Sequence, residues 1–271
     1  MILTVCDAKY LSEASLLIKS CARHVPEQRF YLYLINDHGT PDHVIQRWHP
    51  QIIVKREERP YDRERWRGLM CCARAIPLRY ILEHYNEDVL YLDSDTLVRA
   101  PLTELFGRLR EYDLLVKHRP NLKHIGAAGT PYASSFNNGV IAIRPSESGL
   151  RFAQRYDERL QEFIDSGRPL EIYLEEHKIQ CIVDQELLYV TYLELKEQIK
   201  FLLLATKFND AQFDPNSIIW HGKGTARSHP LYALEKMRYE HAYLFHPLSL
   251  VSKALIMAHQ FKRGRMVSSN V

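Results

Sequence analysis

The triplet Asp93-Ser94-Asp95 places two carboxylates one residue apart, directly after the apolar run Val89-Leu90-Tyr91-Leu92. Hard oxygen ligands at that spacing can reach one divalent cation. The spacing alone is a weak signal, since an Asp-x-Asp triplet occurs by chance roughly once in a chain of this length. The apolar approach strengthens it, because acidic groups at the end of a buried strand are costly unless something binds them. A second segment, Ile218 to Arg227, delivers His221 from another apolar run into a loop that carries Gly222, Lys223, Gly224 and Arg227. An imidazole can complete a carboxylate metal site. Glycines let backbone N–H groups approach phosphate oxygens, and the two cations neutralise them. A lone histidine after a strand is more often structural; beside an aspartate pair, the ligand reading takes precedence.

Two more segments suit the same chemistry. Phe136-Asn137-Asn138-Gly139-Val140 sets two carboxamides before an apolar strand, and Asp184-Gln185-Glu186 opens a predicted helix. Asp184 can equally be a helix N-cap with acidic first-turn neighbours.

Such groups need a scaffold whose strands end at one edge, and the apolar pattern predicts one. Ile2 to Cys6, Phe30 to Ile35 and Ile52 to Val54 read as strands. They are separated by a helix marked by Ala14, Leu17, Ile18 and Cys21, and by a short polar helix. Residues 55–67, almost all charged or aromatic, read as an exposed loop. Leu69, Ala73, Ile76 and Tyr80 mark one helix face leading into the strand that ends at Asp93. Further strands are expected at Asp113 to Val116, Gly139 to Ile143, Phe201 to Leu204 and Ile218 to Trp220, with Phe201 to Ala205 reading as a buried run. Helices are expected over 146–165 and 184–195. This order predicts an α/β fold: one domain over 1–230 with a central, mostly parallel sheet flanked by helices, then a helical basic tail over 231–271. Open sheets of this kind bind ligands at the carboxyl ends of their strands.

Bulk properties exclude several classes. With 271 residues, 46% hydrophobic and 25% charged, the chain is neither disordered nor fibrous. A net charge of +3 gives no ground for a nucleic-acid partner. No signal-peptide pattern opens the sequence, and no apolar run reaches the roughly 20 residues that span a bilayer. The five cysteines (Cys6, Cys21, Cys71, Cys72 and Cys181) lack zinc-type spacing, so reduced thiols and a cytoplasmic location are expected. Residues 248–266 combine Leu250, Val251, Leu255 and Phe261 with Lys253, Lys262, Arg263 and Arg265. An amphipathic basic helix there could lie peripherally on an anionic inner membrane face; docking on the domain by the same stripe is the commoner outcome.

Taken in order, Val5-Cys6-Asp7-Ala8-Lys9-Tyr10, Cys72-Ala73-Arg74, Leu90 to Asp95, Phe136 to Val140, Asp184-Gln185-Glu186 and His221 to Arg227 resemble the motifs of glycosyltransferase family 8. That family includes bacterial lipopolysaccharide galactosyl- and glucosyltransferases and glycogenin. The resemblance spans about residues 2–228. It implies a Rossmann-like GT-A fold and metal-dependent transfer of a hexose from a nucleotide-sugar donor, a UDP-sugar above all, to a saccharide or lipid-linked saccharide. Asp93, Asp95 and His221 would hold Mn²⁺ or Mg²⁺. Asp7 and Tyr10 would bind the nucleoside. Arg74, Ser94, Asn137, Asn138 and Gly139 would face the donor, with Gly222, Lys223, Gly224 and Arg227 at its phosphates. Gln185 would lie near the anomeric carbon and Asp184 on sugar or acceptor hydroxyls, with retention of configuration.

The chain departs from the family where Arg227 replaces the usual lysine with no Pro-Trp after it, at Asn138, at Glu186, and at Lys117-His118-Arg119, where relatives often carry an acidic residue. A sugar-1-phosphate nucleotidylyltransferase would carry a glycine- and arginine-rich loop after its first strand, whereas here Asp7-Ala8-Lys9-Tyr10 follows. A catalytically inactive nucleotide-sugar-binding protein is the other alternative, along with a self-glycosylating primer, for which none of the 16 tyrosines stands out.

Overall fold

A computed structural model describes residues 1–118, 136–174 and 179–240. The chain opens β1 (Ile2–Asp7), α1 (Leu11–His24), β2 (Phe30–Ile35), α2 (Asp42–Ile45) and β3 (Ile52–Glu57). Next come α3 (Trp66–Cys72), α4 (Ala75–Tyr85), β4 (Val89–Leu92), β5 (Thr96–Val98), α5 (Thr103–Arg108) and β6 (Leu114–His118). Then follow β7 (Phe136–Ile143), α6 (Glu147–Asp165), β8 (Glu171–Leu174), β9 (Ile179–Ile182), α7 (Val183–Leu195), β10 (Phe201–Leu203), β11 (Ile219–His221) and α8 (Pro230–Glu240). Among the described residues, seven strands form one sheet in the order β10-β6-β7-β4-β1-β2-β3. It is mostly parallel, with β7 antiparallel to both neighbours.

Alternating residues of each central strand feed two cores. Leu3 and Val5 pack with α4 and α6 on one face; Ile2 and Cys6 pack with α1 and α5 on the other. Burial on both faces is why these strands read as unbroken apolar runs. The parallel strands β1, β4 and β6 end at one edge, and antiparallel β7 begins there, so Asp7, Asp93, Lys117 and Asn137 share it. Ribbon β5/β11 stands beside that edge, pairing His221 with Thr96.

Three expectations change. Phe201 to Leu203 is not buried: β10 is an edge strand with a neighbour on one side only, and Leu203 is 48% exposed. The single helix face drawn through Leu69 and Tyr80 is two helices, parted at Ala73-Arg74. Pro77 lies in the first turn of α4, where its missing N–H costs nothing, and a helix running through from α3 would need that donor. Residues 55–67 are not all exposed loop, since β3 runs to Glu57 and Trp66 opens α3 half-buried.

Helix α8 starts where the tail was expected and docks on the domain. Leu231, Tyr232 and Tyr239 join Leu16, Leu97, Phe213 and Trp220 in a third cluster, and Tyr239 donates to the Val98 carbonyl. The basic stripe of 248–266 lies outside the described residues. No helix among the described residues is long and apolar enough to cross a membrane. Cys6, Cys21 and Cys72 are free, and burial pushes their thiols well above the ordinary range.

Candidate active site

Strand β4 ends at Leu92, and the chain turns at once, the Thr96 N–H and hydroxyl both donating to the Asp93 carbonyl. This turn, with half-buried Ser94 at its centre, points both aspartates toward the ribbon that carries His221. One ligand atom from each of Asp93, Asp95 and His221 lies within 4.8 Å of the others.

The outer atoms of these three side chains are held by protein. Asp93 Oδ1 accepts from the Tyr91 hydroxyl at 2.7 Å and from Arg74 Nη1 at 3.1 Å. Asp95 Oδ2 accepts from Arg227 Nη2 at 2.7 Å and Nε at 3.1 Å. His221 Nδ1 meets Asn209 Oδ1 at 2.9 Å. The inner atoms face one another: His221 Nε2 lies 3.5 Å from Asp93 Oδ2 and 3.2 Å from Asp95 Oδ1. Burial pushes the Asp95 carboxyl up, but hydrogen bonds and charge from His221 and Arg227 outweigh it and hold the group well below the usual carboxylate range. Two carboxylate oxygens and an imidazole nitrogen converging in this way fit Mn²⁺ or Mg²⁺.

Gly139 packs against the group. A Cβ there would sit 2.3 Å from His221 Cε1 and 2.8 Å from Asp93 Oδ2. Gly139→Ala is therefore expected to cost about 1–3 kcal/mol in urea denaturation, as overpacking does, and to weaken divalent-cation binding by displacing both ligands. Unchanged metal affinity in the folded variant would remove Gly139 from the site.

Behind the cluster lies a buried ion network. Arg74 Nε donates to the Cys71 carbonyl, Nη1 also to the Asn138 carbonyl, and Nη2 lies 3.2 Å from Asp184 Oδ2. Asn138 Nδ2 donates to Asp184 Oδ2 at 2.5 Å, and the Gln185 N–H donates to Asp184 Oδ1 at 2.8 Å. Asp184 is 0% exposed. Burial raises its carboxyl to about 6, Arg74 opposing and Asp93 adding to the rise. Asp184 thus holds Arg74 and Asn138 in place instead of opening toward a substrate, and it is not the N-cap of α7, which is Ile182. The Gln185 side chain is buried beside it, and its Oε1 has no hydrogen-bond partner.

At the end of β1, Asp7 accepts from the Tyr10 N–H at 3.1 Å and from the Trp66 indole at 2.8 Å. Arg227 lies 5.4 Å and Lys9 5.6 Å from the centre of the Tyr10 ring. The Gly222 N–H donates to the Asp95 carbonyl at 2.8 Å, so it ties the ribbon to the turn and leaves no free donor for a phosphate. Lys223 and Gly224 are exposed, with Gly224 at φ +58°, a conformation that suits glycine. The structure therefore gathers Asp93, Asp95, His221, Arg227, Arg74, Asn137, Asn138, Gly139 and Asp184 into one connected set. Sequence reasoning missed Tyr91, Trp66 and Asn209. Tyr91 lies within the strand motif and was legible only as apolar; Trp66 opens α3 at the end of the charged run 55–67, and Asn209 lies in a segment with no periodic signal.

No protein-family profile and no curated protein matches the sequence. Solved structures do match its fold. The galactosyltransferase LgtC, in complex with donor and acceptor sugar analogs, aligns at 18% identity over 88% of this chain and 93% of that one, with a TM-score of 0.56. Mouse xyloside xylosyltransferase 1 aligns at 12% identity over 83% and 98%, with a TM-score of 0.50. The glycosyltransferase GlyE of Streptococcus pneumoniae aligns at 20% identity over 82% of this chain and 54% of that one, also at 0.50. At these identities the likeness is one of architecture, and it establishes that the chain has the GT-A fold.

Proposed function

We propose that this chain is a metal-dependent glycosyltransferase moving a hexose from a UDP-sugar to an acceptor hydroxyl. The observation that carries the reading is the convergence of Asp93 Oδ2, Asp95 Oδ1 and His221 Nε2 at the ligand-binding edge of a GT-A sheet. Their outer atoms are all held by protein, and the inner three are left to one another.

Asp93, Asp95 and His221 would hold Mn²⁺ or Mg²⁺. Bound there, the cation would neutralise the nucleoside diphosphate as its negative charge grows. Arg227, fixed on Asp95, would add positive charge on the same side, with Lys223 on the exposed loop beyond. Tyr10 would stack on the base, and Asp7, oriented by Trp66, would take the nucleoside. The amide of Gln185 would accept from the sugar, and Arg74, anchored by Asp184, would hold Asp93 and the Asn138 backbone in register. Bond breaking passes through an oxocarbenium-like sugar. Gln185 is too weak a nucleophile for a covalent intermediate. Attack on the face the phosphate leaves, with a phosphate oxygen taking the acceptor proton, would retain configuration. The acceptor would be a saccharide or lipid-linked saccharide of polysaccharide or lipopolysaccharide synthesis.

Trp66→Phe tests the nucleoside end. Losing a hydrogen bond to a charged group costs roughly 1.5 kcal/mol, so UDP affinity is expected to fall about tenfold in calorimetry while Mn²⁺ affinity holds. Unchanged UDP binding would detach Asp7 and Trp66 from the donor.

The reading as a whole is tested by donor hydrolysis over a panel of nucleotide sugars, with Mn²⁺ and with chelator. One UDP-sugar should be hydrolysed, and only with metal. Turnover indifferent to chelator would contradict the metal role; a folded protein that binds no nucleotide sugar would contradict the transferase.

A further inference from the structure

Three consecutive hydrogen bonds run from a backbone amide to the metal-facing histidine. The Gly139 N–H donates to Asn137 Oδ1 at 2.9 Å, and Asn209 Nδ2 donates to the same oxygen at 3.2 Å. Asn209 Oδ1 then meets His221 Nδ1 at 2.9 Å. At the other end of the ring Nε2 faces the two aspartates. Asn137, Asn209 and His221 are all buried, with Asn209 1% exposed.

The polarity of this chain has one solution. A backbone N–H can only donate, so Asn137 must present its oxygen to Gly139. An oxygen at that point can only accept, so Asn209 must present its amide nitrogen to Asn137. The Asn209 oxygen then faces the ring, and Nδ1 must carry a proton. Flipping either amide would set two donors or two acceptors face to face among buried side chains, at the full cost of unsatisfied buried polar groups. A main-chain amide thus dictates, through two carboxamides, which ring nitrogen is left for a cation. Which nitrogen of a ligating histidine is available is set by the bond the other one makes.

The Asn209 backbone is held as firmly as its side chain. Its carbonyl accepts from Lys117 Nζ at 2.6 Å, and its neighbour Asp210 is stitched to the ribbon by Asp210 N–H to the Ile219 carbonyl and His221 N–H to the Asp210 carbonyl. The carboxylate of Asp210 in turn accepts from the Gln212 and Asp214 N–H groups, closing the loop that follows.

We propose that Asn209 is a positioning residue for the divalent cation: with Asn137 it locks His221 as the Nδ1–H tautomer and aims Nε2 at the ion. This rests on the metal site of the preceding reading, but not on the identity of donor or acceptor.

The test is heteronuclear NMR on Mg²⁺-loaded protein at a pH well above the ordinary histidine pKa of about 6.5. His221→Gln assigns the resonances. Wild type should show His221 protonated at Nδ1; a ring protonated at Nε2 instead would overturn the proposal without any Asn209 variant. Asn209→Ala should lower Mn²⁺ affinity by about 10–100-fold, the usual effect of removing a ligand's outer partner, and release the tautomer preference. Asn209→Asp keeps the acceptor and should retain the Nδ1–H form. A folded Asn209→Ala protein with unchanged tautomer and affinity would show that the residue merely fills space. If wild type binds neither Mn²⁺ nor Mg²⁺, the metal reading itself fails; the transferase reading fails separately if metal binds but no nucleotide sugar does.

Discussion

Asp95→Ala is expected to abolish metal-dependent donor turnover, lowering kcat/KM by about three orders of magnitude or more. A cation that stabilises leaving charge contributes several kcal/mol, and each 1.36 kcal/mol is tenfold in rate. The loss is larger than that of one ligand, because Asp95 also anchors Arg227 through two hydrogen bonds and faces His221 at 3.2 Å. Without it the guanidinium that faces Tyr10 loses its charged partner and keeps its bond to the Gly222 carbonyl. Donor hydrolysis at saturating Mn²⁺ checks this. Asp95→Asn keeps the shape but removes the charge, and should recover little. Activity within tenfold of wild type in the folded alanine variant would remove the triplet from the chemistry.

Arg74→Met is the largest expected effect on stability. The arginine is buried, and its guanidinium serves the Cys71 and Asn138 carbonyls, Asp93 and Asp184 at once. Breaking a buried pair from one side costs about 3–5 kcal/mol, since the remaining charge is left uncompensated. The pH dependence has a definite sign. The Asp184 carboxyl stands at about 6 with Arg74 present and rises further without it, above an unfolded value near 3.9. A raised carboxyl costs stability above its folded pKa, and the cost is relieved as protonation neutralises it. The deficit of Arg74→Met against wild type should therefore be full above the variant's raised pKa and narrow as pH falls from there to about 6, below which Asp184 costs both proteins the same. Urea denaturation across that range measures it. Arg74→Lys should rescue little, because a single ammonium cannot reproduce the forked contacts. A deficit that does not change with pH would mean that Asp184 is not the group left unpaired.

The strands β1 and β2, buried on both faces, lie where Ile2 to Cys6 and Phe30 to Ile35 placed them. Burial on two sides leaves a continuous apolar run, the strongest local signal a strand can give. The ribbon strand β5 and the hairpin strands β8 and β9 were not anticipated. Thr96-Leu97-Val98 is too short to stand out, and Glu171 to Leu174 mixes charge with apolar residues. The break between α3 and α4 hides behind a periodicity that Leu69, Ala73, Ile76 and Tyr80 carry straight across it. Of the candidate site, the aspartates and His221 were legible because their residue types are themselves the signal. The groups that aim them were not. Tyr91 reads as a core aromatic, yet its hydroxyl holds Asp93. Asn209 lies 12 residues before His221 in a segment without pattern, and only the fold brings it to the ring.

The central claim, that Asp93, Asp95 and His221 together hold one divalent cation, is tested most directly by Mn²⁺ titration followed through the free-ion EPR signal. Wild type is compared with the double variant Asp93→Asn/Asp95→Asn, each with and without UDP. The account predicts one Mn²⁺ per wild-type chain, held more tightly when UDP is added, and none in the folded double variant. Equal Mn²⁺ binding by both proteins, or none by either with UDP present, would contradict it.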